Sequence, residues 1–298
     1  MKRCRGVALL LVMWLTMLLA AVVGAFALTA QMEKLQGRTL SRGVVAEQAA
    51  RAGVEYALTR ITEQDPKRQW QADGRDYDWA FDGAQVRITI IDESGKVDLN
   101  AADVGLLTRL FSVVGVDQAQ AADIAAAIAD WRDVDDLVQP QGGAEDPAYA
   151  SAGLPWGAKD APFDTVAEVE QVLGMTPQIY AKVAPLLTVY SGQTRPDPQF
   201  ASGEVLQALG VDPAPILAQR KARVPPSEEA SFLGGGSGTY SIDSRARLRD
   251  GRQAVLRVVV RAGISGVPGS SYTALRWEQG TPGPVHSSQA GRAGTVRP

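Results

Sequence analysis

The stretch Val7–Ala30 carries no charged side chain, follows Lys2, Arg3 and Arg5, and is closed downstream by Glu33. A helix over these positions, at about 1.5 Å per residue, spans the roughly 30 Å hydrocarbon core of a bilayer. Lys and Arg resist translocation, so the N-terminus stays cytoplasmic and the bulk of the chain lies on the other side. Whatever the remaining residues fold into hangs from a membrane helix.

A secretory signal peptide, a plain signal anchor and a type IV prepilin all begin this way. Ala25-Phe26-Ala27 offers a signal-peptidase pattern, but the apolar run exceeds the usual h-region of roughly 7–15 residues. A plain anchor leaves Gly6, between the last basic and the first apolar residue, without a role. The junction Arg5-Gly6-Val7 resembles a type IV prepilin, whose leader is cut on the cytoplasmic side after Gly. Residues 1–6 are then the leader, residues 7–30 the retained transmembrane helix, and Val7 the mature N-terminus, N-methylated as the resemblance implies.

Helical periodicity continues from Gln31 to Ile61. Val45, Ala49, Ala52 and Tyr56 recur at spacings of four and three, Arg42, Glu47, Arg51, Glu55 and Arg60 lie on other faces, and no proline precedes Pro66. One helix from Val7 to about Thr62 is on the order of 80 Å long, weakened locally by Gly37, Gly43 and Gly53. Beyond it, Tyr77–Phe81 and Gln85–Asp92 read as strands around a two-residue Asp82-Gly83 hairpin. Strand patterning returns in Thr239–Leu248, Gln253–Ala262 and Ser271–Glu278, with a second hairpin at Asp250-Gly251. One sheet shared by the two strand sets would cover the amphipathic half of the helix.

Between the strand sets the period changes to 3.6, over Ala101–Val113, Gln118–Trp131, Thr165–Leu173, Pro177–Leu186 and Ser202–Leu209. Removing the long helix from 298 residues leaves enough chain for two small cores. The expected organisation is α+β: residues 31–97 with 238–280 form a discontinuous helix-and-sheet domain, and 98–237 an inserted helical domain. Gly234–Gly238 reads as a flexible exit linker, and residues 281–298, rich in Pro, Gly and Ser, as a disordered tail.

Five strings tie this organisation to a family: IDESGKVDLN (Ile91–Asn100), ADWRDVDD (Ala129–Asp136), GGAEDPAY (Gly142–Tyr149), FDTVAEVEQVLGM (Phe163–Met175) and YTALRWEQG (Tyr272–Gly280). In this order, behind a prepilin junction, they resemble the K-type minor pseudopilins of type II secretion systems. The resemblance implies a type IV pilin-like fold, a long N-terminal helix packed on an antiparallel sheet, with an inserted helical domain of SAM or helix-hairpin-helix type. It further implies a single-pass inner-membrane protein with its C-terminal bulk in the periplasm. The implied partners are the I- and J-type minor pseudopilins, the major pseudopilin, prepilin peptidase and the inner-membrane secretion platform. Two departures stand out. The second half of the insert reads Asp197-Pro198-Gln199-Phe200 where the family has an Asn-rich string. Prepilins generally have Glu at the fifth mature position to neutralise a neighbour's N-terminal ammonium, whereas this chain has Leu11. A subunit with no neighbour above it has no ammonium to neutralise, so Leu11 fits a subunit at the pseudopilus tip.

The chemistry-bearing cluster is acidic: Asp133, Asp135, Glu145 and Asp146, with Asp130 and Asp136 in weaker positions and Asp160 and Asp164 further along. A solvated surface is the usual fate of such runs. Here Asp133–Asp136 ends a predicted helix, where the dipole disfavours negative charge, and a glycine-rich loop then returns two more carboxylates. Oxygen-only ligands point to a hard cation, calcium first, which the resemblance also implies. The spacing is not that of an EF-hand, because counting from Asp133 puts Val138 at the glycine position and Ala144 at the position of the bidentate acid.

Other chemistries lack their residues. His286 is the sole histidine and Cys4 the sole cysteine, so neither a Ser-His-Asp triad nor a zinc site can be assembled. Paired carboxylates could serve a glycosidase, but no apolar sugar-stacking cleft is legible around them. An enzyme is not expected. The whole chain has formal charge −3, and removing Lys2, Arg3 and Arg5 from 30 basic residues leaves 27 against 33 acidic ones, or −6. Nothing in that balance courts nucleic acid. The alternative function is a membrane-anchored DNA-uptake protein, because Asp98–Ile128 resembles a helix-hairpin-helix unit. Its hairpin, Val114-Gly115-Val116-Asp117, lacks the second glycine that approaches phosphate, and Arg109 and Arg132 are the only basic residues between Val97 and Gln139.

Overall fold

The apolar and amphipathic stretches join in one helix, α1 (Arg5–Ile61, 57 residues), in a computed structural model that describes residues 5–63, 65, 67–140, 142–222, 236–263 and 272–280. The carbonyls of Arg60 and Ile61 at its end accept from Trp70 N and Gln69 Nε2, both at 2.9 Å, so the reversing chain caps the helix. Two antiparallel strands follow, β1 (Asp73–Phe81) and β2 (Ala84–Asp92). Asp82 and Gly83 both take positive φ, 46° and 78°, the conformation a primed two-residue turn requires. The sheet is completed by β5 (Thr239–Arg247), β6 (Gln253–Ala262) and β7 (Tyr272–Gly280), in the order β1-β2-β5-β6-β7. The two strand sets therefore share one antiparallel sheet, with β2 paired directly to β5 from Gln85↔Arg247 to Asp92↔Tyr240.

The sheet packs on the second half of α1 through a face that keeps Ala49 of the predicted series but is turned away from Val45, Ala52 and Tyr56. Ala49, Ala50, Val54, Ala57, Leu58 and Ile61 are buried against Val86, Ile88, Ile90, Ile242 and Val258, and Ala46 is buried one turn earlier. Val45 is 46% exposed, and Ala52 and Tyr56 are half-buried. Close approach selects the face: a methyl at Gly53 would lie 2.8 Å from Val86 Cγ1, so the alanine and glycine side meets the sheet. Tyr56 instead stacks on Trp79, centroids 4.4 Å apart, beside the stacked pair Trp70 and Tyr77.

The chain between β2 and β5 builds a second core from β3 (Val97–Asp98), α2 (Val104–Val113), α3 (Gln118–Arg132), α4 (Asp146–Ser151), α5 (Pro177–Val183), β4 (Leu187–Thr188), α6 (Gly203–Ala208) and α7 (Pro213–Lys221). Asp103, Asp117, Thr176, Ser202 and Asp212 cap the helices they precede. Thr165–Leu173 is not an α-helix: its ordered part is a 3-10 segment, Val166–Gln171, started by a Thr165/Glu168 capping box. The parallel β3–β4 ladder sets Val97 and Asp98 beside Leu187 and Thr188, and the buried Asp98 carboxylate accepts from Asn100 N, Ser191 N, Ser191 Oγ and Gly192 N at 2.8–3.0 Å.

Entry and exit of the insert meet at the turn after β2. Buried Asp92 accepts from Ser94 N, Ser94 Oγ, Ser237 N and Ser237 Oγ at 2.6–2.8 Å. Ser237, expected in a flexible linker, is held by a carboxylate; residues 223–235, with Gly234 and Gly235, lie outside the described residues, as do residues 281–298 with His286. Glu93, 1% exposed, binds Lys96 Nζ, Thr188 Oγ1 and Ser241 Oγ and so ties the turn to both β4 and β5. The divergent string packs here as well: Asp197 N donates to Ser94 O at 2.8 Å, and a methyl at Gly95 would sit 2.5 Å from the Phe200 carbonyl carbon.

Candidate metal centre

The last turn of α3 places Asp130 and Asp133 three residues apart on one side of the helix. The chain leaves through 134–140 and returns at Gly142–Glu145, where Gly142 takes φ 81°. Gly143 allows close passage, since a methyl there would lie 2.6 Å from Gln139 N. The return brings Glu145 to the same place, and one carboxylate oxygen from each of Asp130, Asp133 and Glu145 lies within 4.8 Å of the others. Asp130 is fully buried and Glu145 is 4% exposed.

Asp130 is held by the loop it supports, accepting from Ala144 N at 2.7 Å and Gln139 N at 3.2 Å. Asp133 Oδ1 and Glu145 Oε1 are buried without a hydrogen-bond partner among the described residues, a costly state for a carboxylate. Burial is the main cause of a Glu145 carboxyl pushed up to about 7, helped by the negative charge of Asp130, Asp133, Asp160 and Asp136. Burial likewise raises Asp133, with Asp130 and Asp135 adding to it. It raises Asp130 against the opposing effect of the hydrogen bonds from Gln139 and Ala144. Three crowded carboxyls, two of them with an orphaned oxygen, fit a hard cation, whose remaining ligands would be carbonyl oxygens and water.

The predicted ligand set changes in composition. Asp130, ranked below Asp135 and Asp146 on sequence, is inside the group, and its spacing of three from Asp133 on a helix was the available clue. Asp135 accepts from Leu137 N at 2.9 Å in its own exposed turn. Asp146 Oδ1 accepts from Ala158 N at 3.1 Å, drawn towards the chain at Gly157. Asp136 is exposed and acts on Glu145 only through its charge. Asp160 sits at φ 53°, and Asp164 pairs with Lys159 at 2.7 Å.

The helix-hairpin-helix pair α2–α3 is present, with Gly115 at φ 88° in the turn. Its basic groups serve the fold. Arg109 Nε donates to Ala208 O at 2.8 Å, Arg132 donates to the carbonyls of Leu99 and Ala102, and Lys182 Nζ covers the hairpin carbonyl of Val114 at 3.1 Å. At the other end of the molecule, Leu9–Met32 forms 24 residues of mean hydropathy 2.5, none of them buried among the described residues. Leu11 there is 62% exposed.

The family model for type II secretion system protein K matches residues 88–192, from within β2 to the glycine that closes on Asp98. A putative type II secretion system protein K of Escherichia coli (strain K12) is 27% identical over 205 residues, 62% of each chain. The type II secretion system protein K of Klebsiella pneumoniae is 25% identical over 216 residues, 64% of each chain. The matched stretch thus spans less than two thirds of either relative. A chain in the crystal structure of the GspK-GspI-GspJ complex from enterotoxigenic Escherichia coli aligns with TM-score 0.58 and 16% identity, covering 83% of this chain and 100% of that one. That likeness gives the fold, pilin-like with an inserted helical domain. The matched segment coincides with the unit between β2 and the Asp98 clamp, and the same protein recurs among the relatives, so this part of the chain is similar to type II secretion system protein K.

Proposed function

We propose that this chain is a minor pseudopilin that forms or caps the tip of a type II secretion pseudopilus and supports protein export across the outer membrane. The observation that carries it is the division of α1: an apolar half with no packing partner among the described residues, continuous with a half that underlies the sheet. Such a helix serves as both membrane anchor and filament spine. In this role the chain crosses the inner membrane once, with the sheet and insert in the periplasm. The solved relative was crystallised with GspI and GspJ, and I- and J-type minor pseudopilins are the corresponding partners here, with the major pseudopilin and the secretion platform. Calcium held by Asp130, Asp133 and Glu145 would neutralise the carboxylates that otherwise repel one another and so rigidify the insert. The DNA-uptake alternative has less support, because the basic groups of the hairpin unit are engaged by backbone carbonyls.

Mass spectrometry of the mature protein tests processing. Prepilin peptidase cleavage after Gly6 leaves an N-methylated Val7, whereas a start after Ala27 would remove the spine and overturn the proposal. Leu11→Glu should leave the soluble fold unchanged, and labelled protein should occupy one distal position per pseudopilus. Label spread along the shaft would contradict the tip assignment.

A further inference from the structure

Beside the acidic centre lies an apolar group that neither core explains. Val134, Leu137 and Val138 are 83, 74 and 56% exposed, while no other large apolar side chain outside α1 exceeds 42% among the described residues. Three such side chains within five positions form a patch of the kind that marks an interaction site. Both ends of the segment are tied to the carboxylate group: Asp133 begins it, and Gln139 N closes it on Asp130. Between those ends, the hydrogen bond the structure gives is local, Leu137 N to Asp135 Oδ1. The patch is therefore shaped by the position of two of the three grouped carboxylates.

We infer that the segment Val134–Val138 is a docking loop whose presentation is switched by cation binding at Asp130, Asp133 and Glu145, and that its occupant is a protein surface with an apolar pocket rimmed by Lys or Arg. The inference rests on the cation reading of the centre given above. A bound divalent ion draws Asp130 and Asp133 to fixed positions, which sets both ends of the loop and orders the apolar side chains before a partner arrives. Charge selects the partner. Asp135 and Asp136 are exposed within the patch, and no basic residue occurs between Arg132 and Lys159. An anionic bilayer surface is repelled by this tip, whereas a basic rim around an apolar pocket complements it.

The test uses the full chain in phosphatidylcholine nanodiscs and, as probe, a labelled amphipathic peptide of Leu and Lys read by fluorescence anisotropy. A Leu and Glu peptide and phosphatidylglycerol vesicles serve as counter-probes. Calcium should tighten binding of the Leu and Lys peptide at least tenfold over EDTA. Screening acts in the opposite direction, because calcium lowers the negative charge that attracts lysine, so tightening has to come from the ordered apolar patch. The gain should vanish in the triple variant Val134→Ser, Leu137→Ser, Val138→Ser, which keeps every carboxylate and should still bind calcium by calorimetry. Calcium binding without a change in peptide affinity overturns the docking loop alone. Absence of calcium binding overturns the cation reading and the switch together. A gain that survives in the triple variant, that extends to the Leu and Glu peptide, or that appears only with vesicles also overturns the inference.

Discussion

Replacing Asp98 with alanine should open the insert at its closure. The carboxylate is 1% exposed and accepts four hydrogen bonds, from Asn100 N, Ser191 N, Ser191 Oγ and Gly192 N. Bonds to a charged acceptor contribute about 1.5–3 kcal/mol each, and an orphaned buried donor costs about 1–3 kcal/mol. Ser191 is half-buried and Gly192 exposed, so water recovers part of that loss, and a net cost of about 3–4 kcal/mol is expected. For a chain of this size that corresponds to a melting temperature lower by about 10 °C. Asp98→Asn keeps one acceptor oxygen and should recover about half of the loss. Scanning fluorimetry of the full chain measures the shift, and limited proteolysis with mass spectrometry locates it. The first new cleavages should fall within 97–192, with the sheet still protected. A loss below about 1 kcal/mol, or cleavage that begins in the sheet, would show that the β3–β4 ladder closes the unit without the carboxylate.

Two further outcomes follow from the same geometry. Calcium at a hundredfold excess over Kd should stabilise the insert by about 2.7 kcal/mol, and EDTA should reverse this. Glu145 is held up to about 7 in the folded chain against an ordinary value of 4.5, so its neutral form favours the metal-free fold fully below pH 4.5. That contribution is lost as pH rises towards 7, while the calcium increment grows over the same window because the ligand must lose its proton. Melting curves at pH 5 and pH 8, with calcium and with EDTA, check both slopes, and a calcium increment larger at pH 5 would contradict the assignment. Gly95→Ala places a methyl 2.5 Å from the Phe200 carbonyl carbon and 2.9 Å from Ala201 N. Backbone atoms cannot swing aside as a side chain can, so a cost of about 2–3 kcal/mol is expected, and an unchanged urea midpoint would contradict that packing.

What the sequence determined by itself is local or periodic. The uncharged run Val7–Ala30, the 3.6-residue repeat that continues it, and the alternation in Val86-Arg87-Ile88-Thr89-Ile90 each express their structure within a few residues, and the observed α1 and β2 follow them. Capping side chains such as Asp103 and Asp117 act within their own helical turn. Tertiary structure decided what depends on distant chain. The buried face of α1 was set by how closely Gly53 and its alanine neighbours let the sheet approach, a choice that periodicity leaves open between adjacent faces. Two-residue strands have no period, so the β3–β4 ladder and the Asp98 clamp, which join residues about ninety positions apart, could not be read from either end. The acidic centre divides in the same way. Its chemical type was written in the run of carboxylates, but its membership depended on how the loop returns: Asp130 was drawn in by two backbone amides, and Asp146 was drawn away by Ala158 N. Hydrogen-bond partners that fold in from a dozen residues away decide which carboxylates converge, and no spacing within the run encodes them.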